Sequence, residues 1–259
     1  MKISVACPAY NEAAGVESVI RGWLEYLERS PQFHTFEIIV CNDGSRDDTG
    51  KILGRLTHDF PALRPVHHAV NKGAAAALAT AIVNTSGDWV LLLDADGQFP
   101  IENLPRLWQA IDETGADAAI GYRTKKEDTT FARFGSWASG SLCSGIYGRP
   151  LKDFNSALKL VRGSLLRDLV LEAKGLNYST EISGKLLEFG PAVRIVETEA
   201  IHLPRRTGRS SRTLIRGAWH RFLFVCYLAL RRFLQYQQVL QTPQDVLPRG
   251  NASYESERS

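Results

Sequence analysis

No apolar run in this chain of 259 residues is longer than nine residues, Phe222 to Leu230. That is about half of what a membrane-spanning helix requires. The opening stretch MKISVACPAY does not read as a signal peptide, because its apolar part is short and runs straight into polar turn residues. Cysteine is scarce: Cys7, Cys41, Cys143 and Cys226 lie far apart with no C-x-x-C pair, so neither a zinc ribbon nor a dense disulfide scaffold fits. A reducing cytosol is the simpler expectation. Internal repeats and low-complexity segments are absent as well. What is there is ordinary globular composition, 44% hydrophobic and 23% charged, which excludes disorder, collagen and coiled coil. A folded chain of this length buries roughly 70–75% of its unfolded surface and needs no staple.

The net charge of +3 conceals an asymmetry. Residues 1–200 carry 21 Lys+Arg against 25 Asp+Glu, while residues 201–259 carry 10 against 3. Eight arginines fall between Arg205 and Arg232 with no acid among them. Such a run suits a polyanion: a diphosphate, a lipid phosphate, an anionic membrane surface or a nucleic acid.

Short β-branched runs alternate with helical periodicity through the first 120 residues. Ile3–Cys7, Glu37–Cys41, Pro65–His67 and Trp89–Leu93 read as strands. Between them, Val16, Val19, Ile20, Trp23, Leu24 and Leu27, then Ile52, Leu53 and Leu56, then Gly73 to Val83 mark helices. Ser45 and Asp48 have the spacing of a capping box for the second of these. A fifth strand ends at Gly121-Tyr122-Arg123, a helix covers Phe131–Tyr147, and Leu158–Val161 and Val193–Glu197 read as further strands. Repeated β-α-β units predict an α/β fold with a doubly wound, mostly parallel sheet. Loops after parallel strands emerge along one edge, where open α/β folds bind ligands. Those loops are Pro8-Ala9-Tyr10-Asn11-Glu12, Asn42-Asp43-Gly44-Ser45, Asn71-Lys72-Gly73 and Asp94-Ala95-Asp96-Gly97-Gln98, all of them polar.

The most informative stretch is VLLLDADGQFP. A buried strand delivers Asp94 and, two residues on, Asp96. Carboxylates so close repel one another unless a cation sits between them, and hard oxygen ligands favour Mg²⁺ or Mn²⁺. Gln98 can add an amide oxygen, and the ion would keep positions open for a diphosphate. Lys72 suits a phosphate or solvent, and Arg123 suits bidentate binding of a phosphate or a surface ion pair. An aspartate nucleophile of a phosphatase is the rival reading of the same stretch, but that motif sits on a first strand and continues with Thr or Ser, where this chain has Gln98.

In order and spacing these loops resemble family 2 inverting glycosyltransferases of GT-A fold. Further matching residues are Gly121-x-Arg123, Asp153 with Phe154-Asn155-Ser156-Ala157-Leu158-Lys159, Glu181, and His202-x-Pro204-Arg205-x-x-Gly208-x-Ser210. Within that family the chain is most similar to polyprenyl-phosphate glycosyltransferases of the dolichol-phosphate mannose synthase type, through Gln98, Arg123 and the late arginines. It departs from them at Asn42, Ala75, Ala77 and Ala157, and in lacking spanning helices. The resemblance implies that Pro8, Ala9, Tyr10, Glu12 and Asp43 hold the base and ribose of a UDP- or GDP-linked sugar. Asp94 would reach ribose or phosphate through the metal, and Asp96 would bind it directly. Asp153 would lie near a polyprenyl-phosphate acceptor as general base, with Arg123, Arg205 and Arg206 gathering the anions. An acceptor that is soluble or a glycan, and a non-catalytic nucleotide-sugar-binding protein, are the alternatives.

The expected organisation is a GT-A domain over residues 1–211, an amphipathic basic and apolar helix over 212–240, and a loose tail over 241–259. Arg212, Arg216 and His220 share a face that Leu214, Ile215, Trp219, Phe222 and Phe233 largely avoid. This suits a helix lying at the cytosolic face of an anionic membrane. The alternatives are packing on the domain or on a second copy of the chain. No nucleic-acid motif accompanies the arginines.

Overall fold

The computed structural model describes residues 1–33, 35–124, 140–172, 177–204 and 224–231. Seven strands form one sheet in the order β3-β2-β1-β4-β6-β5-β7. In chain order they are β1 (Lys2–Ala9), β2 (Thr35–Asn42), β3 (Leu63–His67), β4 (Trp89–Leu92), β5 (Ala118–Arg123), β6 (Lys159–Arg162) and β7 (Ile195–Ala200). All pairings are parallel except those of β6, which runs antiparallel to both β4 and β5. The expected mostly parallel α/β sheet is therefore observed, as are all seven expected strands.

Helices cover both faces. Side chains of β1 alternate: Ile3, Val5 and Cys7 join one core with α1 (Val16–Glu28), α2 (Thr49–Asp59) and α4 (Leu104–Thr114), while Ala6 joins a second core with α3 (Ala74–Val83), α6 (Gly163–Arg167) and α7 (Tyr178–Glu188). This period of two is what a sheet covered on both faces requires. In α1 the buried residues Val16, Ile20, Trp23, Leu24 and Leu27 form one stripe. Residues 140–147, the described part of the expected helix over 131–147, form α5; residues 131–139 lie outside the described set. Helices α4, α6 and α7 go beyond the expectations from periodicity.

The capping box does not form. Asp48 stands at the N-cap of α2 with no side-chain cap bond, and Ser45 Oγ instead accepts the Asn11 amide at 3.0 Å. Ser45 is spent on bracing two loops, a contact over 34 residues that outcompetes the local one.

Residues 224–231 are helical, labelled α8. Val225 packs with Cys143, Tyr147, Phe154 and Leu187, and Leu228 is buried beside it in sequence. Arg231 lies 3.5 Å from Glu172 and 3.7 Å from Glu188. For these eight residues, packing on the domain is what the structure shows, and Arg231 belongs to an ion-pair network rather than to a solvated basic face. The rest of 205–259, including Arg205 and Arg206, lies outside the described residues.

Two topological facts position the site. The chain moves outward in opposite directions from β1 and β4, which makes their shared C-terminal edge the switch point where α/β sheets bind ligands. Because β6 runs backwards, its entry segment from Asp153 arrives at that same edge, with Lys159 in register with Leu92 and Ile120.

Candidate active site

The first two loops are riveted together. Besides the Asn11–Ser45 bond, the Arg46 amide donates to Asn11 Oδ1 at 2.8 Å, the Glu12 amide to Thr49 Oγ1 at 2.9 Å and the Ala13 amide to Asp47 Oδ2 at 3.1 Å. Asn11 takes the left-handed φ of +56° that this turn needs, which Asn tolerates better than most residues. Pro8 and Ala9 still belong to β1, in register with Cys41 and Asn42. Tyr10 stands exposed at the rim, and Glu12 starts α1 by accepting the Gly15 and Val16 amides on its carbonyl.

Asp43 is the clamp of the third loop. Only 1% exposed, it accepts the Lys72 amide (2.9 Å) and His68 Nδ1 (2.7 Å) on Oδ1, and the Gly73 amide (2.8 Å) on Oδ2. The resemblance assigns Asp43 to base and ribose; the partners in the structure are the chain's own donors. The Lys72 side chain is exposed. Gly44, at φ +64°, permits this close approach: a Cβ there would lie 2.5 Å from the Val70 carbonyl carbon. Gly44→Ala is expected to cost about 2 kcal/mol or more, from both the positive φ and the clash, and urea denaturation measures it.

At the end of β4, Asp94 Oδ1 accepts the Tyr178 hydroxyl at 2.7 Å, and Asp96 Oδ1 accepts the Gln98 amide at 3.1 Å. Gly97 makes the intervening turn at φ +70°. The Gln98 backbone ties the loop together: its N–H orients Asp96 and its carbonyl accepts Leu203 N–H at 2.8 Å. The Asn103 side chain holds Ile201 through two further bonds, so the segment after β7 is fastened to the carboxylate loop. One buried group feels these acids. The Cys7 thiol is pushed well above its usual range by burial and then by Asp94, Asp96 and Glu12 together. Tyr178 is likewise raised by burial and by Asp94.

Among the described residues no group of three or more His, Cys, Asp or Glu side chains is disposed to hold a metal ion. A cation here would be gripped by the two carboxylates and take its other oxygens from a diphosphate and water. Asp94 and Asp96 offer the hard oxygen donors that Mg²⁺ and Mn²⁺ prefer, each with one oxygen already oriented by a donor. The residues present fit such an ion.

On the far side of the site Asp153, 2% exposed, is gripped by Arg123 through Nε (2.8 Å) and Nη2 (3.2 Å). This is the fork geometry in which guanidinium and carboxylate bind best. Sequence reasoning treated the two as separate candidates, one for a phosphate and one as a base; the structure joins them. The Asn155 amide also donates to Asp153 Oδ1 at 3.2 Å, and Glu197 accepts the Lys152 amide at 2.7 Å.

Two residues that sequence reasoning did not place complete the arrangement. Lys159 is fully buried on β6, with Nζ donating to the Ser156 carbonyl. Burial pulls it down to about 7 against the upward pull of Asp153 and Asp94, with Arg123 adding to the fall. A lysine flanked by leucines within a strand was the available signal. Tyr178 gave none, because its partner lies 84 residues away. His202, matched in the family pattern, packs edge-on to Phe99 with ring centroids 4.9 Å apart.

The edge of this sheet therefore gathers two oriented carboxylates, a riveted pair of loops, and a part-buried Arg–Asp fork beside a buried lysine. Comparison with known proteins gives the chain its relatives. A bactoprenol glucosyl transferase of Shigella phage SfX is 36% identical over 129 residues, covering 49% of this chain and 40% of the relative. A dolichyl-phosphate beta-glucosyltransferase of Trichomonas vaginalis is 30% identical over 170 residues, covering 61% and 52%. The chain thus spans about half the length of these curated relatives. The fold matches the crystal structure of glucosyl-3-phosphoglycerate synthase from Mycobacterium tuberculosis in complex with Mn²⁺, uridine diphosphate and phosphoglyceric acid. That match has a TM-score of 0.67 at 21% identity, over 89% of this chain and 78% of the other. The model of Glycosyl transferase family 2 matches residues 4–175, more than half of the sequence, and the chain belongs to that family.

Proposed function

We propose that this chain transfers a sugar from a UDP- or GDP-linked donor to a polyprenyl phosphate, inverting the anomeric centre, with Mg²⁺ or Mn²⁺. The observation that carries the reading is that Asp94 and Asp96 follow β4 at the switch-point edge, each with one oxygen oriented by a donor, with the Arg123–Asp153 fork at the same edge. The names of the polyprenyl-linked relatives support the acceptor, and the Mn²⁺ and uridine diphosphate complex of the structural neighbour supports the donor and metal.

Pro8, Ala9, Tyr10 and Glu12 would form the wall for base and ribose, with Asp43 fixing the 71–73 loop and Lys72 facing the phosphates. Asp94, Asp96 and the Gln98 loop would hold the cation, which neutralises charge on the departing diphosphate. An acceptor phosphate oxygen would attack the anomeric carbon from the face opposite the leaving nucleoside diphosphate, forming the new C–O bond as the old one breaks. Such a phosphate is already largely anionic near neutral pH, so holding two anions together matters more than removing a proton. Arg123, kept in place by Asp153, retains further N–H groups for that phosphate; Arg205 and Arg206 would add charge.

Placement at the cytosolic membrane face belongs to the same proposal. The arginines from Arg205 to Arg221 suit anionic headgroups, and no helix among the described residues is long and apolar enough to cross a bilayer. A soluble phosphorylated acceptor is the second reading, favoured by the phosphoglyceric acid of the structural neighbour. The test is transfer of radiolabelled sugar from UDP- and GDP-sugars to undecaprenyl phosphate in detergent, with Mn²⁺ or with EDTA. Metal-dependent label in the organic phase is expected. Label only in water-soluble product would overturn the lipid acceptor.

A further inference from the structure

Helix α7 is buried along its whole length, yet six of its eleven residues are Ser179, Thr180, Glu181, Ser183, Lys185 and Glu188. Helices buried all round are ordinarily apolar, because each buried polar group costs free energy unless it finds a partner. These groups find theirs in two directions.

Towards the sheet edge, the hydroxyls reach the two loops that carry site acids. Tyr178 Oη donates to Asp94 Oδ1 at 2.7 Å. Thr180 Oγ1 donates to Asn155 Oδ1 at 2.6 Å, and the Asn155 amide in turn donates to Asp153 Oδ1. Ser183 Oγ reaches the Phe154 carbonyl at 3.1 Å. Away from the edge, the charges anchor the helix. Lys185 lies 3.0 Å from Glu181 and 3.1 Å from Glu172, and Arg231 of α8 meets Glu172 and Glu188. One rigid element therefore touches the end of β4 and the entry to β6, which are separated by about 60 residues of chain.

We propose that Tyr178 is a positioning residue for the donor-side cation: its hydroxyl fixes the rotamer of Asp94, while Thr180 on the same helix fixes the Asp153 loop on the acceptor side. The inference rests on the functional reading above and assigns it two new residues. A carboxylate that must grip a cation loses affinity when it can rotate, and removal of a group that orients a metal ligand typically costs 10–100-fold in metal affinity. The geometry makes the two hydroxyls separable, since each serves a different acid.

The experiment uses the full chain. Tyr178→Phe keeps the ring in its buried seat and removes only the hydroxyl; Thr180→Val keeps shape and removes only its hydroxyl. Mn²⁺ binding in the presence of uridine diphosphate and of guanosine diphosphate is titrated by electron paramagnetic resonance, alongside melting temperature and, with undecaprenyl phosphate, the KM of each substrate. Tyr178→Phe is expected to weaken Mn²⁺ binding about 10-fold and to raise donor KM, with acceptor KM unchanged. Thr180→Val is expected to leave Mn²⁺ binding at the wild-type value and to raise acceptor KM. Equal Mn²⁺ binding in Tyr178→Phe and wild type overturns the assignment. So does equal weakening in both variants, which would mean only that the helix had loosened. Weaker Mn²⁺ binding in Tyr178→Phe alone, in a protein that transfers nothing to the lipid, would keep Tyr178 in this role and overturn the acceptor instead. Absence of nucleotide-dependent Mn²⁺ binding in the wild type overturns both.

Discussion

Asp96→Ala is expected to lower metal-dependent transfer by about 10³-fold or more while leaving the melting temperature nearly unchanged. Loss of a group that stabilises developing charge in a water-poor site costs on this scale. The fold has little stake in the side chain: Asp96 is only partly buried, lies beyond the end of β4, and its one described bond is to the Gln98 amide two residues on. Its removal leaves Asp94 as the single carboxylate of the pair. Asp96→Asn should fall between, because an amide oxygen can still accept from Gln98 and ligate, but without the charge. Rates measured across a Mn²⁺ titration separate the cases. A variant rescued at high Mn²⁺ has lost affinity, and one that stays inactive has lost the geometry. Wild-type rates in Asp96→Ala would refute the site.

Much of this architecture was legible because the signals are local. Ile3–Cys7 and Trp89–Leu93 are apolar runs with turn residues behind them, and parallel strands force their following loops to one edge. The pattern alone therefore groups the polar loops at one edge. What escaped is what depends on distance. Ser45 and Asp48 have the spacing of a cap, but Asn11 claims Ser45 from another loop. The eight arginines read as one basic run suited to a polyanion, yet Arg231 is paired with Glu172 and Glu188, which lie 59 and 43 positions earlier. Asp43 looks like an open turn acid until the Lys72 and Gly73 amides close around it. Helix α7 defeats periodicity for a related reason: buried on every side, it has no polar face to alternate with an apolar one. Its burial is made tolerable by partners such as Asp94 and Asn155 that no window of sequence brings together.

Lys159→Met is expected to make the protein more stable and less active at once. The lysine is fully buried and its ammonium is held at about 7 against a usual value of 10.5, chiefly by burial. The unfolded chain therefore binds the proton more readily than the folded one. The resulting penalty is largest below about pH 7, where the charge must be buried. It shrinks as pH rises between the two values and vanishes above about pH 10.5, where both states are neutral. Methionine fills similar volume without the charge, so the gain at pH 6 should be on the order of 2 kcal/mol, less than the full penalty because attraction to Asp153 and Asp94 is lost too. For a chain of this size that is about 5 °C in melting temperature, and the difference from wild type should narrow by pH 10. Transfer should fall about 10–100-fold, because a cation that feels Asp153 and Asp94 offsets the charge of two incoming anions. A charge kept at a cost to stability is the signature of a site rather than of packing. Melting curves at pH 6 and pH 10, read beside transfer rates at neutral pH, test both halves. A variant destabilised at pH 6 would show that the lysine holds the sheet together, and one more stable with full activity would remove Lys159 from the site.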